Sequence, residues 1–221
     1  PDIDVVAGNV SRGESAKRLV KAGADAVLVG QGPGSICTTR IVSGIGCPQV
    51  TAVYRCVKAL RGSGVPVIAD GGIKNSGDIA VAIAIGAESV VLGKLLAGAE
   101  EAPGPEIPVK GVMMKGYRGM GSLGAMLDSS ASRERYGQGN VSAQKLVPEG
   151  VEAAVPFTGA VQKSLDQNAG GLRAGMAYVG AKDIPTFRKK AELFRITGAG
   201  LAESHPHDVA IVAEAPNYRR S

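Results

Sequence analysis

Short apolar runs, each closed by glycine or a polar residue, recur through the first hundred positions of the chain. The runs at 5–8, 26–30, 66–70 and 89–93 are β-rich and predict strands. Between them, apolar residues at helical spacing predict helices over 13–22, 51–61 and 76–85. This alternation is that of βα units and predicts a parallel sheet. Continuous apolar runs further predict strands buried on both faces. "KAGADAVLVG" and "AIGAESVVLG" repeat one pattern of helix end, glycine turn and strand. Such repetition points to a (β/α) barrel or to a doubly wound sheet. A closed barrel of this kind needs eight strands, and only four runs are visible. Either the remaining strands lie outside this sequence or the sheet is open. The start, "PDIDVVAGNV", lacks an initiator Met and enters a strand almost at once, as expected of a piece of a longer chain.

Beyond residue 98 the pattern changes. "GAEEAPGPEIPVKG" is turn-rich and acidic, and 111–156 is rich in glycine, serine and polar residues with little periodicity. A segment this long without clear elements predicts a functional lid or a loop. Helical spacing returns at 161–169 and 184–193. The tail "ESHPHDVAIVAEAPNYRRS" reads as loop, short strand, loop.

Composition narrows the function classes. Of 221 residues, 44% are hydrophobic and 20% charged, which predicts one globular domain. No apolar run reaches the roughly 18–20 residues that span a bilayer, and no signal peptide is visible. The net charge of +5 is scattered, which favours small anionic ligands weakly. Aromatics are 4% and Trp is absent, which argues against a base-stacking nucleic-acid surface. The three cysteines, Cys37, Cys47 and Cys56, have no CxxC spacing and argue against a disulfide framework or zinc. They predict a reducing, cytoplasmic setting.

The motifs "GPGSICTTR", "ADGGI", "LGKLLAG", "YRGMGSLGAM", "RERYG", "VPEG", "GGLRAGMAYVGA", "ITGAGLAESHPHDV" and "EAPNY" follow one another in order. Together they resemble the C-terminal half of inosine 5′-monophosphate dehydrogenases of bacterial type, over nearly the whole chain. The resemblance implies an α/β fold of the (β/α)8 TIM-barrel class, with the runs here as strands five to eight. It implies one partial catalytic domain over 1–221 with a loop and mobile flap within 99–156. The regulatory domain often inserted in the family is absent from these residues. It also implies oxidation of inosine monophosphate (IMP) to xanthosine monophosphate with NAD, a monovalent cation (K⁺), and a homotetramer.

Carried over motif by motif, the resemblance gives each residue a role. Cys37 is the nucleophile that attacks C2 of the purine; a thiolate is intrinsically nucleophilic and can divide a hard oxidation into two steps. Arg135 and Tyr136 are the flap pair that enters the vacated dinucleotide site and helps activate water, with Thr39 and Glu149 as another proton route. Ser35, Gly72, Gly93 and Tyr117 serve the phosphate, as loops after late barrel strands do. Asp70 accepts the ribose hydroxyls, and Met120, Gly121 and Glu149 face the purine. Lys94 departs from the serine usual there and offers phosphate a point charge. Asn9, Gly30 and Gly32 face the dinucleotide, and Arg40 lies near the substrate. The carbonyls of Gly32, Gly34 and Cys37 suit a hard cation, with Glu203, Ser204 and His205 supplied by a neighbouring subunit.

Two rival readings remain. Guanosine monophosphate (GMP) reductase shares the barrel and the cysteine loop, but the flap pair favours the dehydrogenase, which alone must hydrolyse its adduct. A non-catalytic fragment or assembly module is the rival of another class, because half a barrel exposes apolar edges.

Overall fold

A computed structural model describes residues 3–218. Two sheets organise them. The elements run β1 (Val6–Val10), α1 (Gly13–Lys21), β2 (Ala26–Val29), α2 (Thr39–Val42), α3 (Gln49–Ala59), β3 (Val67–Asp70), α4 (Ser76–Ala84), β4 (Ser89–Val91) and α5 (Lys94–Ala97). They continue with β5 (Glu106–Val109), β6 (Val112–Arg118), α6 (Leu123–Asp128), α7 (Ser130–Arg135), β7 (Glu152–Pro156), α8 (Val161–Tyr178), α9 (Ile184–Lys190) and α10 (Gly198–Glu203).

The first sheet is parallel, in the order β1-β2-β3-β4. Val27 pairs with Val67 and Val29 with Ala69, and all four are buried beneath α1 and α3 with Ala16, Ala52, Val53 and Cys56. Leu28 and Ile68, on the opposite face, are only half-buried. The expectation of strands buried on both faces therefore holds for one face, because among the described residues little covers the other. Val6 on β1 is 53% exposed and Val91 on β4 is 40% exposed, so both outer strands keep solvent-facing apolar groups.

The second sheet, β5-β6-β7, is antiparallel and lies in the segment whose sequence shows no clear elements. Its hairpin pairs Val109 with Val112 across Lys110 and Gly111, both at positive φ. That is the geometry of a two-residue primed turn, with Lys where Asn or Asp is usual.

Helix α8 runs to Tyr178, well past the predicted 169, through Gly170 and Gly171. A Cβ on Gly171 would lie 2.1 Å from Ser76 Oγ, so glycine lets α8 close on α4. Helix α9 is capped by Asp183, which accepts from Thr186 N–H at 2.8 Å, and ends at Lys190 rather than 193. The strand expected in the tail does not form. Val209, Ile211 and Val212 are exposed and lack a ladder partner, and the ordered element nearby is α10. No helix of the described residues is long and apolar enough to cross a membrane.

Candidate active site

Strands of a parallel sheet end together, so the loops that follow them share one edge. Asn9, Gly30, Asp70 and Gly93 all lie at or just past these ends. Gly30 has φ +150°, and a Cβ there would meet the Asp70 carbonyl oxygen at 2.0 Å. The loop that carries Cys37 can therefore leave β2 close against the end of β3 only with glycine at that position. Gln49, at the start of α3, donates through Nε2 to the carbonyls of Val29 (2.8 Å) and Asp70 (3.1 Å), tying the same two strand ends.

Three distant segments converge on Cys37. Thr38 N–H donates to the Glu149 carbonyl at 2.9 Å, and Val151 N–H donates to the Ile36 carbonyl at 3.0 Å. Cys37 and Gly150 form an antiparallel bridge. Glu149 N–H in turn donates to the Gly121 carbonyl at 2.9 Å. Thus "GSICTT", "VPEG" and "GMGS" are stitched into one patch by backbone bonds. Within it the Cys37 thiol donates to Thr39 Oγ1 at 3.2 Å.

Tyr136 closes over this patch. A Cβ on Gly121 would lie 2.6 Å from the Tyr136 ring, so the phenol rests on bare backbone. Burial pushes the Tyr136 phenol above its ordinary value, nearby Cys37 and Glu149 add to the rise, and Arg135 opposes it. Arg135 itself reaches back to β1, donating to Asn9 Oδ1 at 2.6 Å. Asn9 Nδ2 donates to Asp70 Oδ2, also at 2.6 Å.

Tyr117 occupies the other side. Its hydroxyl would lie 2.7 Å from a Cβ on Gly93. Burial raises its phenol, a hydrogen bond with Ser35 opposes the rise, and nearby Asp70 reinforces it. Ser35, Asp70, Gly93 and Tyr117 are thereby one cluster. The "DGG" turn joins it: a Cβ on Gly72, at φ +79°, would lie 3.1 Å from Pro33. Met120 is 51% exposed, beside the buried Gly121.

Other candidate residues stand differently. Lys94 is exposed in the first turn of α5. Gly32 faces no open space, because its Cβ would meet the Arg40 side chain at 2.6 Å. Glu203, Ser204 and His205 end α10, where Ser204 Oγ donates to the Gly200 carbonyl and His205 Nδ1 shares a 2.8 Å hydrogen bond with the Tyr218 hydroxyl. Among the described residues no group of three His, Cys, Asp or Glu side chains could hold a metal ion. Arg40, expected near the substrate, donates through its guanidinium to the backbone carbonyls of Gln31 and Cys47. The sequence reading missed Gln49 altogether, since a glutamine that bonds to carbonyls leaves no motif.

The chain is similar to known proteins. The family model described as IMP dehydrogenase / GMP reductase domain matches residues 1–207. The inosine-5′-monophosphate dehydrogenase of Halalkalibacterium halodurans is 56% identical over 218 residues, covering 99% of this chain and 44% of that protein. The enzyme of the same name from Escherichia coli strain K12 is 54% identical over 219 residues, with the same two coverages of 99% and 44%. The chain thus spans less than half the length of these relatives. A crystal structure of a GMP reductase variant from Trypanosoma brucei, in complex with guanosine 5′-monophosphate, superposes with a TM-score of 0.85 at 47% identity. That match covers 94% of this chain and 42% of the other. With a family model spanning 1–207 and this degree of identity, the chain belongs to the IMP dehydrogenase / GMP reductase family.

Proposed function

We propose that these residues form the second half of a (β/α)8 catalytic barrel and carry the NAD-dependent oxidation of IMP to xanthosine monophosphate. The observation that carries the reading is the convergence of Cys37, Thr39, Glu149, Gly121 and Tyr136 on one patch, with Arg135 and Asp70 joined through Asn9.

In this reading the Cys37 thiolate adds to C2 of IMP and forms the S–C2 bond. The C2 hydrogen then departs with its electron pair. NAD would supply the hydride acceptor, with Asn9 among the residues that would hold it. Water next adds to C2 and the S–C2 bond breaks, which releases xanthosine monophosphate and restores the thiol. Tyr136, Thr39 and Glu149 border the Cys37 backbone and thiol, where a water must lose its proton. Arg135 over Asn9 supports the idea that the segment bearing it and the dinucleotide occupy the same space in turn.

Phosphate is assigned to Ser35, Tyr117, Gly72 and Gly93, with Lys94 a peripheral charge. The ribose hydroxyls are assigned to Asp70, whose bond from Asn9 they would replace. Met120 and Gly121 face the base. Gly30 and Gly32 already have an internal packing reason to be glycine, so they support dinucleotide binding less than Asn9 does. The donor set on the nucleophile turn suits a monovalent cation, since carbonyls of Gly32, Gly34 and Cys37 are neutral hard oxygens. Glu203, Ser204 and His205 of a second copy would complete that set in a homotetramer.

A second reading, GMP reductase, is favoured by the T. brucei structural match. Hydrolysis of the adduct is needed only by the dehydrogenase, and the Arg135–Tyr136 pair serves that step. Incubation with IMP and NAD, followed by intact-mass measurement, tests the first reading: a nucleotide adduct is expected on Cys37 and lost in Cys37→Ser. NADPH-dependent deamination of GMP without NADH formation from IMP would favour the second. Turnover by these residues alone is expected to be low, because Val6 and Val91 leave both sheet edges apolar and exposed.

A further inference from the structure

We infer that Arg40 is a positioning residue that clamps the nucleophile loop shut, acting on Cys37 through the backbone. The guanidinium uses two nitrogens on the two ends of one loop. Nε donates to the Gln31 carbonyl at 3.1 Å, and a terminal nitrogen donates to the Cys47 carbonyl. The Gln31 end is fixed in turn, because Ser11 Oγ donates to Gln31 Oε1 at 2.5 Å.

The glycines of the loop are cut to fit this side chain. A Cβ on Gly32 would lie 2.6 Å from Arg40 Cγ, and one on Gly46 would lie 2.5 Å from the same atom. Both glycines also hold φ in the range that disfavours side chains, at +76° and +154°. The stem of Arg40 therefore fills the inside of the loop while its head bonds to the rims.

Elsewhere on the outer arc the hydrogen bonds are local, Ser43 Oγ donating to the Thr39 carbonyl at 2.7 Å and accepting from Ile45 N–H at 3.4 Å, and neither ties the two ends of the loop. Ile41 is 89% exposed and Ile45 58% exposed, so neither anchors the arc, and it meets the core only at Cys47. A Cβ on Gly44 would meet nothing within 4 Å. Closing a loop opposes chain entropy, and here a charged fork on two carbonyls supplies the closure. Arg40 sits on α2, three residues beyond Cys37, so the clamp fixes the turn that presents the thiol. A planar fork can hold two carbonyls at once; an ammonium is a point charge and cannot match it.

The catalytic consequence rests on Cys37 being the nucleophile, but the clamp can be tested without any nucleotide. The chain is labelled with iodoacetamide, and the extent at Cys37, Cys47 and Cys56 is read by peptide mass mapping. Cys56 is fully buried and reports global loosening. In Arg40→Ala and Arg40→Lys, Cys37 labelling is expected to rise about 10-fold or more, with Cys56 still protected. Gly46→Ala, which drives a methyl group into the Arg40 stem, is expected to do the same. Unchanged Cys37 labelling in Arg40→Ala, or a wild-type rate in Arg40→Lys, would overturn the clamp. So would Cys37 and Cys56 rising together in both Arg40→Lys and Gly46→Ala, which would leave Arg40 a residue of general stability. A wild-type chain that labels as expected yet takes no nucleotide would sink the proposed function and leave the clamp standing.

Discussion

The Arg135 guanidinium donates to Asn9 Oδ1 at 2.6 Å, although 126 positions separate the two residues in the chain. The same Asn9 amide donates to Asp70, so an arginine at the end of α7, between β6 and β7, is connected to the end of β3 by one side chain. If Arg135 serves hydrolysis, its loss should spare the formation of the S–C2 bond and slow its cleavage. Arg135→Ala is expected to accumulate nucleotide adduct on Cys37, with the hydrolytic step slowed about 10²–10³-fold. Quenched-flow mass spectrometry of the adduct checks this, and an adduct that forms slowly but never accumulates would exclude the role. Asn9→Ala is expected to produce a weaker form of the same accumulation, about 10-fold.

Gly93 and Tyr117 form a second pair that can be tested. A Cβ at Gly93 would lie 2.7 Å from the Tyr117 hydroxyl, a mobile side-chain end that can shift. Gly93→Ala should therefore displace the phenol with little loss of stability. IMP binding is expected to weaken about 10-fold in both Gly93→Ala and Tyr117→Phe. Calorimetric titration with IMP reads this directly, and inosine without phosphate should bind both variants as it binds the parent.

Gly30 is a test of the fold rather than of binding. Its φ of +150° and the 2.0 Å approach of a Cβ to the Asp70 carbonyl leave no room for alanine. The obstacle is backbone, which cannot swing away as a side chain can. Gly30→Ala is expected to lower stability by about 2–4 kcal/mol. Urea unfolding of the two chains measures it.

Alkaline pH should destabilise the chain through groups whose protonated form is the neutral one. Burial, with Cys47 and Glu14 adding, raises the Cys56 thiol from 9.0 to about 11. Burial also raises Tyr117 and Tyr136. Each native group holds its proton more tightly than the unfolded one. Their contribution is thus fully present below the unfolded pKa and is lost as pH rises through the folded value. For Cys56 the loss begins near 9.0 and is complete above about 11. Urea midpoints measured from pH 8 to 11 are expected to fall through this window, and Cys56→Ala should flatten the part of the fall below 11.

The βα units were legible because each strand is a brief apolar run stopped by glycine, and each helix carries one apolar stripe. The antiparallel sheet was not. Pro108 interrupts β5, and the hairpin turns on Lys110 and Gly111 rather than on an Asn-Gly or Asp-Gly pair. In α8, Gly170 and Gly171 lie just past the predicted end at 169, inside a helix that runs to Tyr178. At Gly171 the glycine serves a close crossing with Ser76, a tertiary demand that local pattern does not carry. At the site, Cys37, Thr39, Gly121, Tyr136 and Glu149 could be named in advance because their motifs are ordered along the chain. Arg40 and Gln49 could not be given their roles, since their partners are backbone carbonyls and any residue has one.

The nucleophile can be tested without a hydride acceptor, using 2-chloroinosine 5′-monophosphate. A thiolate at C2 displaces chloride and forms the same S–C2 bond, leaving the nucleotide attached. Peptide mapping after incubation is expected to find the nucleotide on Cys37, absent from Cys47 and Cys56, and absent altogether from Cys37→Ser. Saturating IMP should protect the thiol. A nucleotide found on Cys47, or no adduct in a chain that binds IMP, would contradict the assignment of Cys37 as the residue that attacks the purine.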